Sequence, residues 1–177
     1  MEFTEILRNL FRVNLGVKKT ERVLVFTDKP TKKDHVSQED LQRWKNLHHL
    51  LNLTVDTARA FSKEVRHLIY PSRGGHGKEP PEALWRLAFN DRAVEELKQQ
   101  GLLRKIISKK ASDEELVTAE KILKRYCRKA VDAVVALSNY STSHTRFRDF
   151  LTRLYGNRYA SMPLFDISMF EGPMAVD

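Results

Sequence analysis

The residues best equipped for chemistry in this chain stand together at Ser141-Thr142-Ser143-His144-Thr145-Arg146. Hydroxyls, an imidazole and a guanidinium meet there at the start of a helical pattern. The first amides of a helix have no partner within it and attract negative charge. Ser141, Ser143, His144 and Arg146 are therefore candidate contacts for a carboxylate or phosphate. The same residues also fit a local role, in which Ser141 or Ser143 caps the helix while His144 and Arg146 tie down neighbouring backbone. A second candidate is Arg73-Gly74-Gly75-His76-Gly77-Lys78. It is not a P-loop, because two residues separate Gly74 from Gly77 and Glu79 stands where Ser or Thr is required. It is not a dinucleotide fingerprint either, since Pro80 takes the place of the third glycine. Its glycines suit a positive-φ turn or a close backbone approach, and Arg73 and His76 are candidates to line a cleft. Asp28 is a third candidate. It follows Thr27 at the tip of an apolar run, where parallel sheets place ligand contacts, although an Asp there also ends strands and caps turns.

Metal ligands are poorly supplied. His48 and His49 are neighbours on a helix and point apart. His35, His67, His76 and His144 fall on different elements, and no His-Glu-x-x-His occurs. A zinc or cobalt site built from this chain alone is not expected. No Ser-His-Asp or Cys-His arrangement has local support.

The elements that must position these residues follow from periodicity. Phe3, Ile6, Leu7, Leu10 and Phe11 predict an amphipathic helix over 2–14, punctuated by Gly16. Residues 21–28 predict a short apolar strand. Ser37 and Asp40 are spaced as a capping box, and Leu41, Trp44, Leu47, Leu51, Val55 and Ala58 predict a long buried helix behind it. Residues 65–70 predict a second strand, and the Gly- and Pro-rich 71–81 a loop. Pro80 suits a helix's first turn, with Leu84, Trp85, Leu87 and Ala88 behind it. Asn90 and Asp91 can cap a further helix ending at Gly101. Residues 102–111 read as strand or loop. Ser112-Asp113-Glu114-Glu115 starts another helix, carrying Leu116, Ala119, Ile122, Leu123 and Tyr126. Strand 132–137, helix 144–155 and a strand near 158–163 close the pattern. Strands alternating with helices predict one three-layer α/β domain with a small, mainly parallel sheet.

Composition narrows the classes. At 177 residues a single domain is expected. The formal net charge of +8 favours weak anion affinity without implying nucleic acid. The basic stretch from Lys98 to Lys129 has few aromatics and so lacks the stacking platform of a single-strand binder; a solvated face is expected. The one cysteine, Cys127, excludes an intrachain disulfide and is expected to be buried or half-buried in a helix. Met1-Glu2-Phe3-Thr4-Glu5 is acidic where a signal peptide would be basic, and no apolar stretch approaches the roughly 20 residues a membrane span needs. A cytoplasmic protein with no membrane partner is expected.

Three stretches resemble the N-terminal domain of the aminopeptidase T family, metallo-aminopeptidases of thermophilic type often named leucyl aminopeptidases. They are Leu15 to Asp28, Gly74 to Glu82, and Ser143-His144-Thr145-Arg146 through Ala160-Ser161-Met162-Pro163 with the tail Gly172-Pro173-Met174-Ala175-Val176-Asp177. The resemblance spans essentially the whole chain, but only the front half of a family member. It implies a peptide substrate, a homodimer and paired divalent metals (zinc, cobalt or magnesium) held by Glu, His and Asp of a C-terminal domain, with a Tyr in the catalytic set. None of those positions lies in this sequence, so no catalytic, cofactor or metal residue carries over, and the chain alone is expected to be inactive. The alternative is a stand-alone anion- or nucleotide-binding α/β module.

Overall fold

The computed structural model describes residues 3–34 and 36–164. The tail Gly172–Asp177, His35 and the side chain of Phe3 lie outside the described residues. Four parallel strands form one sheet in the order β2-β1-β3-β4. They are β1 (Arg22–Lys29), β2 (Glu64–Pro71), β3 (Ala133–Ala136) and β4 (Arg158–Ser161). β1 and β3 pair in parallel, with Val25 and Val135 directly opposite each other.

β1 is the middle of the design. Val23, Leu24, Val25 and Phe26 are all fully buried, as a strand covered on both faces requires. Side chains alternate across a strand, so the two faces separate cleanly. Val23 and Val25, with Ala133, Val135 and Leu137 of the β3 segment, pack under α1 (Phe3–Asn9) and α2 (Gln38–Phe61). Leu24 and Phe26, with Val134 and Ala136, pack under α3 (Glu82–Phe89), α4 (Asp91–Gln99), α5 (Leu102–Ile107), α6 (Asp113–Arg125) and α7 (Arg146–Asp149). The three expected layers are thus α1 and α2, the sheet, and α3 to α7.

Local signals account for most boundaries. Ser37 and Asp40 cap α2 reciprocally, and Ser112 and Glu115 do the same for α6. Asn90 accepts from the Ala93 amide and starts α4. On the second face, Trp85 stacks on Phe89 at 5.1 Å and meets Phe147 edge-on at 5.5 Å. Full burial of one such ring contributes roughly 2–3 kcal/mol.

Four expectations need correction. Residues 102–107 are helix, not strand or loop: Gly101 adopts φ +70° and lets the chain turn directly from α4 into α5. Leu102, Leu103 and Ile106 then bury one side of that turn. Pro81, not Pro80, is the residue at the start of α3, which begins at Glu82. Leu41 is 38% exposed instead of buried, because the buried stripe of α2 begins at Trp44. Cys127 is exposed, since α6 ends at Arg125 and the chain tightens into a 3₁₀ turn over Cys127–Lys129. Both α1 and α7 loosen into a π-helical turn, over Leu10–Asn14 and Phe150–Leu154.

Candidate functional site at the carboxyl edge of the sheet

From β1 the chain passes through α2 to β2 on one side; from β3 it passes through α7 to β4 on the other. The carboxyl ends of β1 and β3 therefore flank the switch point, the usual ligand crevice of such sheets. Asp28 sits there, 1% exposed. Its carboxylate accepts from Trp44 Nε1 at 2.9 Å, the Asn139 amide at 2.7 Å and the Tyr140 amide at 3.3 Å. Burial holds its pKa above the ordinary aspartate value, although those three donors pull it back. Asp28 thus binds α2 and the β3 exit loop to the end of β1. Tyr70 lies beside it, 4% exposed, and burial drives its phenol further up.

The loops after β2 and β3 are stitched together. The Gly77 amide donates to Ser141 O at 2.7 Å, and the Ser141 amide donates to His76 Nδ1 at 3.0 Å. The ring of His76 stands edge-on to Tyr140 at 5.4 Å. Gly77 has φ +71°, so the expected positive-φ turn occurs, whereas a Cβ built there would lie 3.7 Å from His144, an ordinary contact that does not itself require glycine. Ser143 Oγ meets Ser161 Oγ at 2.9 Å, joining this loop to the end of β4.

Neither Ser141 nor Ser143 caps α7. Thr145 is the cap, accepting from the Arg148 amide at 3.1 Å. The first amides are taken by a side chain from the other loop: Glu79 Oε1 accepts from Arg146 N at 2.6 Å and Oε2 from Phe147 N at 3.1 Å. Glu79 is 2% exposed, and burial raises its pKa above the ordinary glutamate value against the pull of those amides. The chain thus supplies its own carboxylate to the helix start that the sequence offered to an external anion.

In front of Glu79 lies a cavity of about 430 Å³, with Lys109, Ser143, His144, Arg146 and Asp149 in its wall and Ile106 and Leu116 among its apolar residues. Lys109 Nζ reaches His144 O at 3.4 Å, and Arg146 faces Asp149 at 3.9 Å. Of the seven candidate residues, Ser143, His144 and Arg146 share this cavity. His76 and Ser141 hydrogen-bond each other in the adjoining loops, and Asp28 lies beneath the β3 exit. Arg73 is separated from them and lines a different groove beside α4 and α5. Such a cavity suits a small polar ligand with a carboxylate or phosphate facing Lys109 and Arg146. Among the described residues, no three His, Cys, Asp or Glu side chains gather as a metal site.

Sequence reasoning missed Glu79, Trp44 Nε1, Asn139 and Tyr70. Glu79 carried no local signal, since its partners lie 67 and 68 positions away. Asn139 and Tyr140 act through their backbone amides, which no side-chain pattern reveals. No family profile matches the chain, and no curated protein or solved structure matches it. Among the described residues, no helix is long and apolar enough to cross a membrane.

Proposed function

We propose that this chain is the non-metal α/β domain of a metal-dependent aminopeptidase, forming one wall of the substrate cavity while a second domain supplies the reacting centre. One observation carries it. Residues from the three stretches that resemble aminopeptidase T, far apart in sequence, come together at the carboxyl edge of the sheet: Asp28 of the first, Glu79 of the second and the start of α7 of the third. Asp28 ends the first stretch and binds the loop leading into the third, and Glu79 of the second holds the start of α7.

The chemistry of that edge fits a wall better than a reacting centre. Asp28 and Glu79 accept hydrogen bonds from backbone amides and are almost inaccessible, so neither can take a proton from a substrate in the cavity without breaking the fold's own contacts. His76 Nδ1 is occupied by the Ser141 amide. The exposed groups are His144, Lys109 and Arg146. They are suited to orienting the carboxylate or backbone carbonyls of a peptide. Hydrolysis itself would use water activated by divalent metal in the other domain. A peptide substrate, a homodimer and a cytoplasmic location belong to the same proposal.

The test is hydrolysis of a leucine amide by purified chain with zinc, cobalt or magnesium, beside the product of the same gene extended through whatever coding sequence follows Asp177. No release by the chain alone and chelator-sensitive release by the extended product is the expected result. Release by the chain alone, or a stop codon directly after Asp177, overturns it.

A further inference from the structure

Part of the positive charge of this protein lines a groove away from the cavity in front of Glu79. Between the β2–α3 loop, the end of α4 and the whole of α5 runs a groove of about 990 Å³. Arg73, Lys98, Arg104, Lys105 and Lys110 line it, with Glu82 as the one carboxylate among the described residues. Two of the five cations are neutralised: Lys98 pairs with Glu82 at 3.1 Å, and Lys105 pairs with Glu115. Glu82 is also held by Arg86 at 2.7 Å, so it has little left to offer the groove. Arg73, Arg104 and Lys110 form no ion pair among the described residues. Cations near the ends of α4 and α5 are favoured by the helix dipole, which accounts for Lys98, Arg104 and Lys105. Arg73 sits on a loop and has no such reason to be there.

Unpaired like charges on a concave wall reinforce one another's field and concentrate counter-ions. Guanidinium groups such as Arg73 and Arg104 match phosphate oxygens in a paired fashion that an ammonium cannot. The floor is aliphatic, with Leu103 and Ile107. Among the described residues no aromatic ring lines the groove, so they do not supply the stacking surface a nucleic-acid strand uses. We infer that this groove binds a compact polyphosphate anion, the phosphoanhydride chain shared by nucleoside triphosphates and inorganic tripolyphosphate, through Arg73, Arg104 and Lys110. The site is separate from the cavity in front of Glu79 and independent of any aminopeptidase role.

The experiment is titration calorimetry of the whole chain with ATP, tripolyphosphate, inorganic phosphate and a single-stranded oligonucleotide, repeated on Arg73→Ala/Arg104→Ala and on a control pair, Lys124→Ala/Arg128→Ala. Tripolyphosphate and ATP should both bind, at least about tenfold tighter than phosphate. ATP binding much tighter than tripolyphosphate would identify the nucleoside as part of the ligand; equal binding would identify the anion alone. The Arg73/Arg104 variant should lose at least about tenfold in affinity while unfolding at the wild-type temperature, and the control should lose none. No heat at millimolar tripolyphosphate overturns the assignment. So does equal loss in both variants, or oligonucleotide binding that tripolyphosphate fails to displace.

Discussion

Glu79→Ala is the most informative single change in this protein. It removes the acceptor of two amides at the start of α7, those of Arg146 and Phe147. Leaving one buried donor unpaired costs about 1–3 kcal/mol. The Phe147 amide is buried and bears most of that cost, whereas Arg146 stands at the cavity wall where water can replace the carboxylate. Removing the carboxylate also recovers part of its own desolvation penalty, so the net loss is about 2 kcal/mol. Against a total stability on the order of 5–15 kcal/mol, that lowers the melting temperature by about 4–8 °C. Glu79→Gln keeps one acceptor oxygen but turns an amide NH₂ toward the other backbone donor, and costs about 1–2 kcal/mol. Trp85 is fully buried against Phe147, so urea unfolding followed by tryptophan fluorescence reads the region directly. pH supplies a second signature. The folded pKa of Glu79 is raised above 4.5, so the folded chain holds this proton at a pH where the unfolded chain has released it. Stability contributed by protonation is complete below about 4.5 and is lost as pH rises through the folded pKa. The gap between wild type and Glu79→Gln should therefore widen on acidification across that window. A Glu79→Ala midpoint equal to wild type, with an unchanged urea slope, would refute the bridging role.

Three further outcomes are expected. Asp28→Asn places an NH₂ against backbone or indole donors and should cost about 1–3 kcal/mol, with a changed near-ultraviolet signal from Trp44; an unaltered spectrum and stability would count against the crevice description. Gly77→Ala has space for its methyl but not the backbone conformation, and should lose about 1 kcal/mol in urea melts. Cys127 should react fully with a thiol reagent under native conditions, and Cys127→Ser should stay within about 0.5 kcal/mol of wild type; protection until unfolding would contradict its exposure.

The layered architecture was legible because its signals are local. The four consecutive apolar residues of β1, the long stripe of α2 and the two capping boxes each specify an element within a few turns. α5 was not legible, because Leu102-Leu103-Arg104-Lys105-Ile106-Ile107 is too short to reveal its period. The candidate residues were legible as types but not as a set. Arg73 and His76 are three positions apart, yet the glycine turn between them sends Arg73 to the α4–α5 groove and His76 to the β3 loop. The pairing of Glu79 with α7 is written only in the tertiary fold.

The order of strands also dictates how the protein must be made. β1 and β2 are joined by α2 alone and can pair early, but the other rim of β1 waits for a partner that begins at Ala133. Throughout that interval a strand with four consecutive apolar residues has one unprotected flank, the condition under which nascent chains stick to one another. Closing so long a loop is slow. The segment from β3 onward therefore acts as the latch on the first strand, and products cut short ahead of β3 are the ones a cell would need chaperones to hold.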